Sequence, residues 1–166
     1  TPFSIDFGVG DVIVPKQEKR KIPTQLDDFA SPTVNTYSLE TTIAEKLDAI
    51  LDLMEFSSRM KDYYDIYYLA NKFDFDGATL TKSLKKTFEN RGHAFTIEQF
   101  EQVMAFAEND AMQKKWKAFC RKIDTKTDDF NAVLKTIKAF LIEPFMAAVE
   151  NKEFEGKWTA LESKWH

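Results

Sequence analysis

Apolar and polar positions alternate from the first residues of the chain: Phe3, Ile5, Phe7 and Val9 are separated by Ser4, Asp6 and Gly8, and Val12, Ile13 and Val14 follow a Gly/Asp turn. Successive side chains leave a strand on opposite faces, so a period of two predicts two short strands or a bulged hairpin over residues 3–15. The stretch "KQEKRKIPTQLDDFASPTV" is polar, carries Pro23 and Pro32, and reads as a long connection ending in an extended "TVNTYS". At Ser38 the period changes to that of a helix. Leu39, Ile43, Leu47, Ile50, Leu51 and Met54 form one apolar stripe behind Ser38 as N-cap. A second helix is expected over residues 58–73. A third follows Asp76 as cap and stops at Gly92, and Thr96 with Gln99 makes a capping box for a fourth. "DAMQKKWKAFCRKI" gives a fifth. "DDFNAVLKTIKAFLIEPFMAAVEN" gives a sixth, kinked or broken near Pro144. The tail with Trp158 and Trp165 reads as a short extended segment packing back on the bundle. The expected fold is α+β and predominantly helical, a short β remnant at residues 1–37 followed by a helical domain of about six helices at 38–166.

Composition narrows the function classes. The chain has 166 residues, 43% of them hydrophobic, enough for one domain with a full core. Its net charge of −4 and its dispersed basic residues give no chain-wide nucleic-acid footprint, so any such contact is local. No apolar run approaches the roughly 18 residues of a membrane span, which makes a cytoplasmic location the expectation. The single cysteine, Cys120, forms no internal disulfide, fits a reducing compartment, and reads as a small buried hydrophobe.

Charges that interrupt apolar faces are the candidates for chemistry. Lys46 lies between Leu39 and Leu53 on the wheel of the first helix and is the one charge at the edge of its stripe, with Glu45, Asp48, Asp52 and Glu55 on other faces. It fits either a lysine whose stem covers apolar surface or an ammonium aimed at carboxylate or phosphate. In "RMKDYYDIYYLA", Asp62 and Asp65 share a side with Ile66, Leu69 and Phe73, and Arg59 stands beside Asp62. Such charges need partners, and a structural ion-pair cluster and a functional site fit them equally. The first two helices are joined by a short connection near Phe56 and Ser57, so they are expected to pack antiparallel and bring Lys46 to the aspartates. Asp6, flanked by Ile5 and Phe7, suits a metal ligand held by a strand, although alternation on any half-exposed strand yields the same pattern. Tyr63, Tyr64, Tyr67 and Tyr68 surround their helix and are expected in the core. His93 in a loop and His166 at the end form no visible metal cluster or triad.

The order "IDFGVGD", "YSLETTIAEKLDAI", "RMKDYYDIYYL" resembles the C-terminal two-thirds of the AbiEii-type abortive-infection toxins, nucleotidyltransferases of the polymerase-β-like superfamily. The resemblance implies a toxin of a toxin–antitoxin or phage-defence system that transfers a nucleotide from an NTP, with Mg2+, to an acceptor such as RNA, held in check by an antitoxin protein. Carried over by position, it implies Lys46, Asp62 and Asp65 as catalytic residues, Lys46, Arg59 and Lys61 at the nucleotide, and Asp6 as a metal ligand. Nucleotidyl transfer needs such parts: carboxylates for a divalent cation, a cation to offset phosphate charge, and an acid or base near the attacking hydroxyl. The family's N-terminal signature, a Gly-Ser or Gly-Gly turn followed by a strand bearing an Asp-x-Asp pair, does not occur in the sequence, and Thr1 opens it as if partway through a fold. The 166 residues alone are therefore expected not to catalyse transfer, and metal-dependent incorporation of labelled nucleotide into RNA would overturn that. The other function class is a non-catalytic helical module that binds a protein partner, such as an antitoxin, or RNA.

Overall fold

The computed structural model describes residues 10, 12–24, 26–56, 59–124 and 129–166. All six expected helices are present: α1 (Leu39–Leu53), α2 (Met60–Lys72), α3 (Gly77–Arg91), α4 (Ile97–Met104), α5 (Asp110–Lys122) and α6 (Phe130–Val149). The starts of α1, α3, α4 and α6 are fixed locally, because the first backbone N–H groups of a helix need acceptors that the chain itself can supply. Ser38 accepts from Thr41, Asp76 from Thr79 and Asp129 from Ala132, and Thr96 with Gln99 closes both arms of a capping box. Gly92 ends α3 at φ +71°, a left-handed conformation that favours glycine.

α6 is the spine of the molecule. Phe130, Val133, Leu134, Ile137, Phe140, Leu141 and Phe145 are all buried, and the helix packs against α2, α3 and α4. α1 lies on α3 and α2 and contributes Ile43, Leu47, Ile50 and Leu51 to the same core. Each such side chain is worth about 1.5–3 kcal/mol when fully buried, which is what holds the helices in register. Pro144 neither breaks nor ends α6. A proline removes the N–H that would bond the carbonyl four residues earlier, and here Trp165 Nε1 donates to that carbonyl, Phe140 O, at 3.0 Å. Trp165 belongs to a three-stranded antiparallel sheet, β3 (Phe75–Asp76), β4 (Lys157–Thr159) and β5 (Lys164–Trp165), which fastens the tail to the bundle as expected. Trp158 on β4 is buried and donates to Ala70 O at 2.7 Å.

Two expectations near the N-terminus change. The first expected strand falls outside the described residues. Val12, Ile13 and Val14 are described and form no strand. Instead three buried hydroxyls hold the Val14 peptide groups: Val14 N donates to Thr41 Oγ1 at 2.8 Å, and Val14 O accepts from Ser38 (2.8 Å), Thr41 (2.9 Å) and Ser83 (3.1 Å). The polar connection also contains a strand, β1 (Glu18–Lys21), paired antiparallel with β2 (Thr33–Thr36). Its charged residues are poor strand formers, and every one of them is exposed, so nothing but the ladder with β2 marks it. Among the described residues no helix is long and apolar enough to cross a membrane.

Candidate functional site

Lys46 stands in the middle of α1, and the two aspartates stand in the first half of α2. Packing of these consecutive helices brings the three together. Lys46 Nζ lies 3.0 Å from Asp62 Oδ1 and 2.6 Å from Asp65 Oδ2. The other oxygen of Asp62 is approached by Arg59 Nε at 2.5 Å, without the alignment of a hydrogen bond, so that contact is ionic. Lys61 Nζ reaches Asp65 Oδ2 at 2.5 Å from one turn away. The Asp62 side chain is 5% exposed, against 18% for Lys46 and 20% for Asp65.

The electrostatics of this cluster are unequal. Burial works against the charge of Lys46, but the hydrogen bonds and charges of Asp65 and Asp62 outweigh it and raise the lysine above its ordinary value. Asp62 also gains from its place in the first turn of α2, where the helix dipole favours negative charge. Beside it, the Tyr63 hydroxyl is buried with no hydrogen-bond partner among the described residues, and burial together with the Asp62 charge keeps it protonated. Tyr63 packs edge-on against Phe130, so it faces the core and not the cluster. Among the described residues three cations meet two carboxylates, a balance that suits an anion.

Lys46 and Arg59 line a cleft of about 330 Å³ together with Tyr37, Thr42, Glu45, Ala49 and Arg91. A larger cleft of about 460 Å³, between the start of α3 and residues 151–155, shares no lining residue with it. The described residues suit phosphate better than a metal ion. No group of three or more His, Cys, Asp or Glu among them is arranged to hold one, and an ammonium already stands between Asp62 and Asp65. Asp6, the expected metal ligand, lies outside the described residues.

Several polar residues around α1 escape the reading of its wheel. Asp48 belongs with the buried residues, at 1% exposure, and not on an outer face. Its carboxylate is 2.8 Å from His93 Nδ1 and 3.6 Å from Arg91 Nε, and Arg91 is also bonded to Glu45. Burial raises the Asp48 carboxyl above its ordinary value, with His93 and Arg91 opposing the shift. His93, an unremarkable loop residue in the sequence, sits directly after the Gly92 stop. That stop signals where Arg91 and His93 emerge, but their partners follow from the packing of α3 on α1. Of the tyrosines, Tyr63 is buried and Tyr64 and Tyr67 are half-buried, whereas Tyr68 is 48% exposed and stacks on Tyr64 outside the core. Cys120 is half-buried against the core.

A protein-family model described as "Nucleotidyl transferase AbiEii toxin, Type IV TA system" matches residues 1–159. No curated protein and no solved structure matches the chain.

Proposed function

The chain belongs to the AbiEii family of nucleotidyltransferase toxins of type IV toxin–antitoxin systems, and from that premise we propose that it acts in transfer of a nucleotide from an NTP to an acceptor such as RNA. Lys46, Asp62 and Asp65 are the residues at the reacting end of the cleft, with Arg59 and Lys61 at the nucleotide beside them. The observation that carries this reading is the Lys46 ammonium held between Asp62 and Asp65 at the wall of a cleft that Arg59 also lines.

In phosphoryl chemistry the protein chiefly positions groups and offsets charge that builds on the phosphate oxygens. Lys46 and Arg59 supply that charge already oriented by Asp62, so little reorganisation accompanies binding. Asp62, the more deeply buried carboxylate, fixes the two cations. Asp65 is the more accessible one, which suits it to the attacking hydroxyl. The family's chemistry calls for Mg2+ with the NTP, for which Asp62 and Asp65 alone make no cage. The same reading gives the protein an antitoxin as partner, a role in abortive infection against phage, and a cytoplasmic site of action, where NTP and RNA are found.

Lys46→Ala and Asp62→Ala should each relieve growth arrest by the toxin in bacterial culture, at unchanged soluble level and helical circular dichroism. Arrest retained by both variants would overturn the assignment.

A further inference from the structure

The cleft beside Lys46 receives a residue from a third helix. Arg91 is the last residue of α3, far in sequence from the α1–α2 cluster, yet it lines the same cleft as Lys46 and Arg59. Its guanidinium is held from two sides by α1: Glu45 bonds one terminal nitrogen, and Asp48, itself buried, stands 3.6 Å from Nε. Asp48 is fixed in turn by His93 at 2.8 Å. Even so, the Arg91 side chain is 41% exposed, and its guanidinium is a rigid planar fork of N–H donors.

The three cations share one design. Asp62 ties Lys46 and Arg59, and Glu45 with Asp48 tie Arg91. Each is fixed by an acid on the helix side and lines the cleft. Among the described residues the lining holds these three positive side chains and one negative one, Glu45. Lys46 and Arg59 converge on Asp62, while Arg91 enters separately from the end of α3. Cations held at separate points of one cleft match an elongated polyanion better than a single phosphate group, and a planar arginine fork binds phosphate oxygens in pairs. Tyr37, 40% exposed, and Thr42 complete the lining with an aromatic face and a hydroxyl, groups that suit a nucleoside.

We propose that Arg91 is a phosphate-binding residue of the nucleotide site, the far anchor of a polyphosphate chain whose near end meets Lys46 and Arg59, so that α3 makes the cleft selective for triphosphate over monophosphate. This rests on the reading of the Lys46 cluster as a nucleotide site.

The test is calorimetric titration of the chain with ATP, AMP and inorganic tripolyphosphate, for the wild type and for Arg91→Ala, Arg91→Lys and Lys46→Ala. ATP and tripolyphosphate should bind more tightly than AMP. Arg91→Ala should weaken both by about tenfold or more, the loss expected for charge-assisted hydrogen bonds, and narrow the preference over AMP. Arg91→Lys should recover part of the affinity, which a role only in packing would not give. Thermal melts of the variants check that each is folded. If Lys46→Ala abolishes binding while Arg91→Ala binds both probes as the wild type does, the Arg91 proposal falls and the nucleotide site stands. If the wild type binds neither probe, or Lys46→Ala binds as the wild type does, the reading of the cleft itself falls.

Discussion

Asp48 shows how one buried acid couples pH to stability. Its carboxyl is held above the ordinary value of 3.8, first by burial, against the pull of His93 and Arg91. The folded protein therefore holds this proton more tightly than the unfolded chain does. Its contribution is most favourable at low pH and declines as pH rises from about 3.8 through the folded-state value. In Asp48→Asn that decline should disappear, so the unfolding free energy of the variant minus that of the wild type, measured in denaturant, should rise from pH 3 to pH 7. Equal slopes for the two proteins would show that the acid titrates alike in both states. The residue was hidden from the sequence because a helical wheel reports one face, and Asp48 is covered from another side by the end of α3. Lys46, Asp62 and Asp65 were legible for the opposite reason: each interrupts an apolar stripe, and their two helices are neighbours along the chain.

Helix α6 carries the corresponding lesson for an element. A proline inside a helix costs about 3 kcal/mol or more, largely through the lost hydrogen bond and the ring clash. Here the helix continues because the indole of Trp165 supplies a donor to the freed carbonyl of Phe140. Trp165→Phe keeps the ring stacked near Phe140, which it approaches at 5.9 Å, and removes only the donor. It should destabilise the fold by about 1–3 kcal/mol, the cost of leaving a buried carbonyl unpaired. In a Pro144→Ala background the helix makes its own bond to Phe140 O, and the same exchange should cost measurably less. A double-mutant cycle by chemical denaturation reads the coupling, and additive effects would refute it.

At the scale of the molecule, order is graded from α6 outward. Its core residues are sealed by α2, α3 and α4, whereas β1 and β2 form a two-stranded ladder exposed on nearly every residue. A hairpin of two strands has little stability of its own in water. Native-state hydrogen exchange should therefore find amides of α6 protected to the level of global unfolding, and those of Glu18–Lys21 exchanging by local opening. Equal protection in both would mean that the hairpin is buried by something beyond the described contacts. The Val14 clamp lies between these limits. It ties the segment before the hairpin to both α1 and α3 through Ser38, Thr41 and Ser83.

The sequence by itself determined where α1, α3 and α4 start and where α3 stops, since N-caps, the capping box and the Gly92 stop are settled within a few residues. It also marked Lys46 and the α2 aspartates as a group, and carried the motifs that resemble the family. The pairing of β1 with β2, the docking of Val14, the rescue of Pro144 by Trp165, and the arrival of Arg91 and His93 beside Asp48 were decided only by the tertiary structure. Each joins residues more than ten positions apart, where no local periodicity reaches. Burial of the helix faces around α6 selects those neighbours, and the polar contacts form where that packing places them.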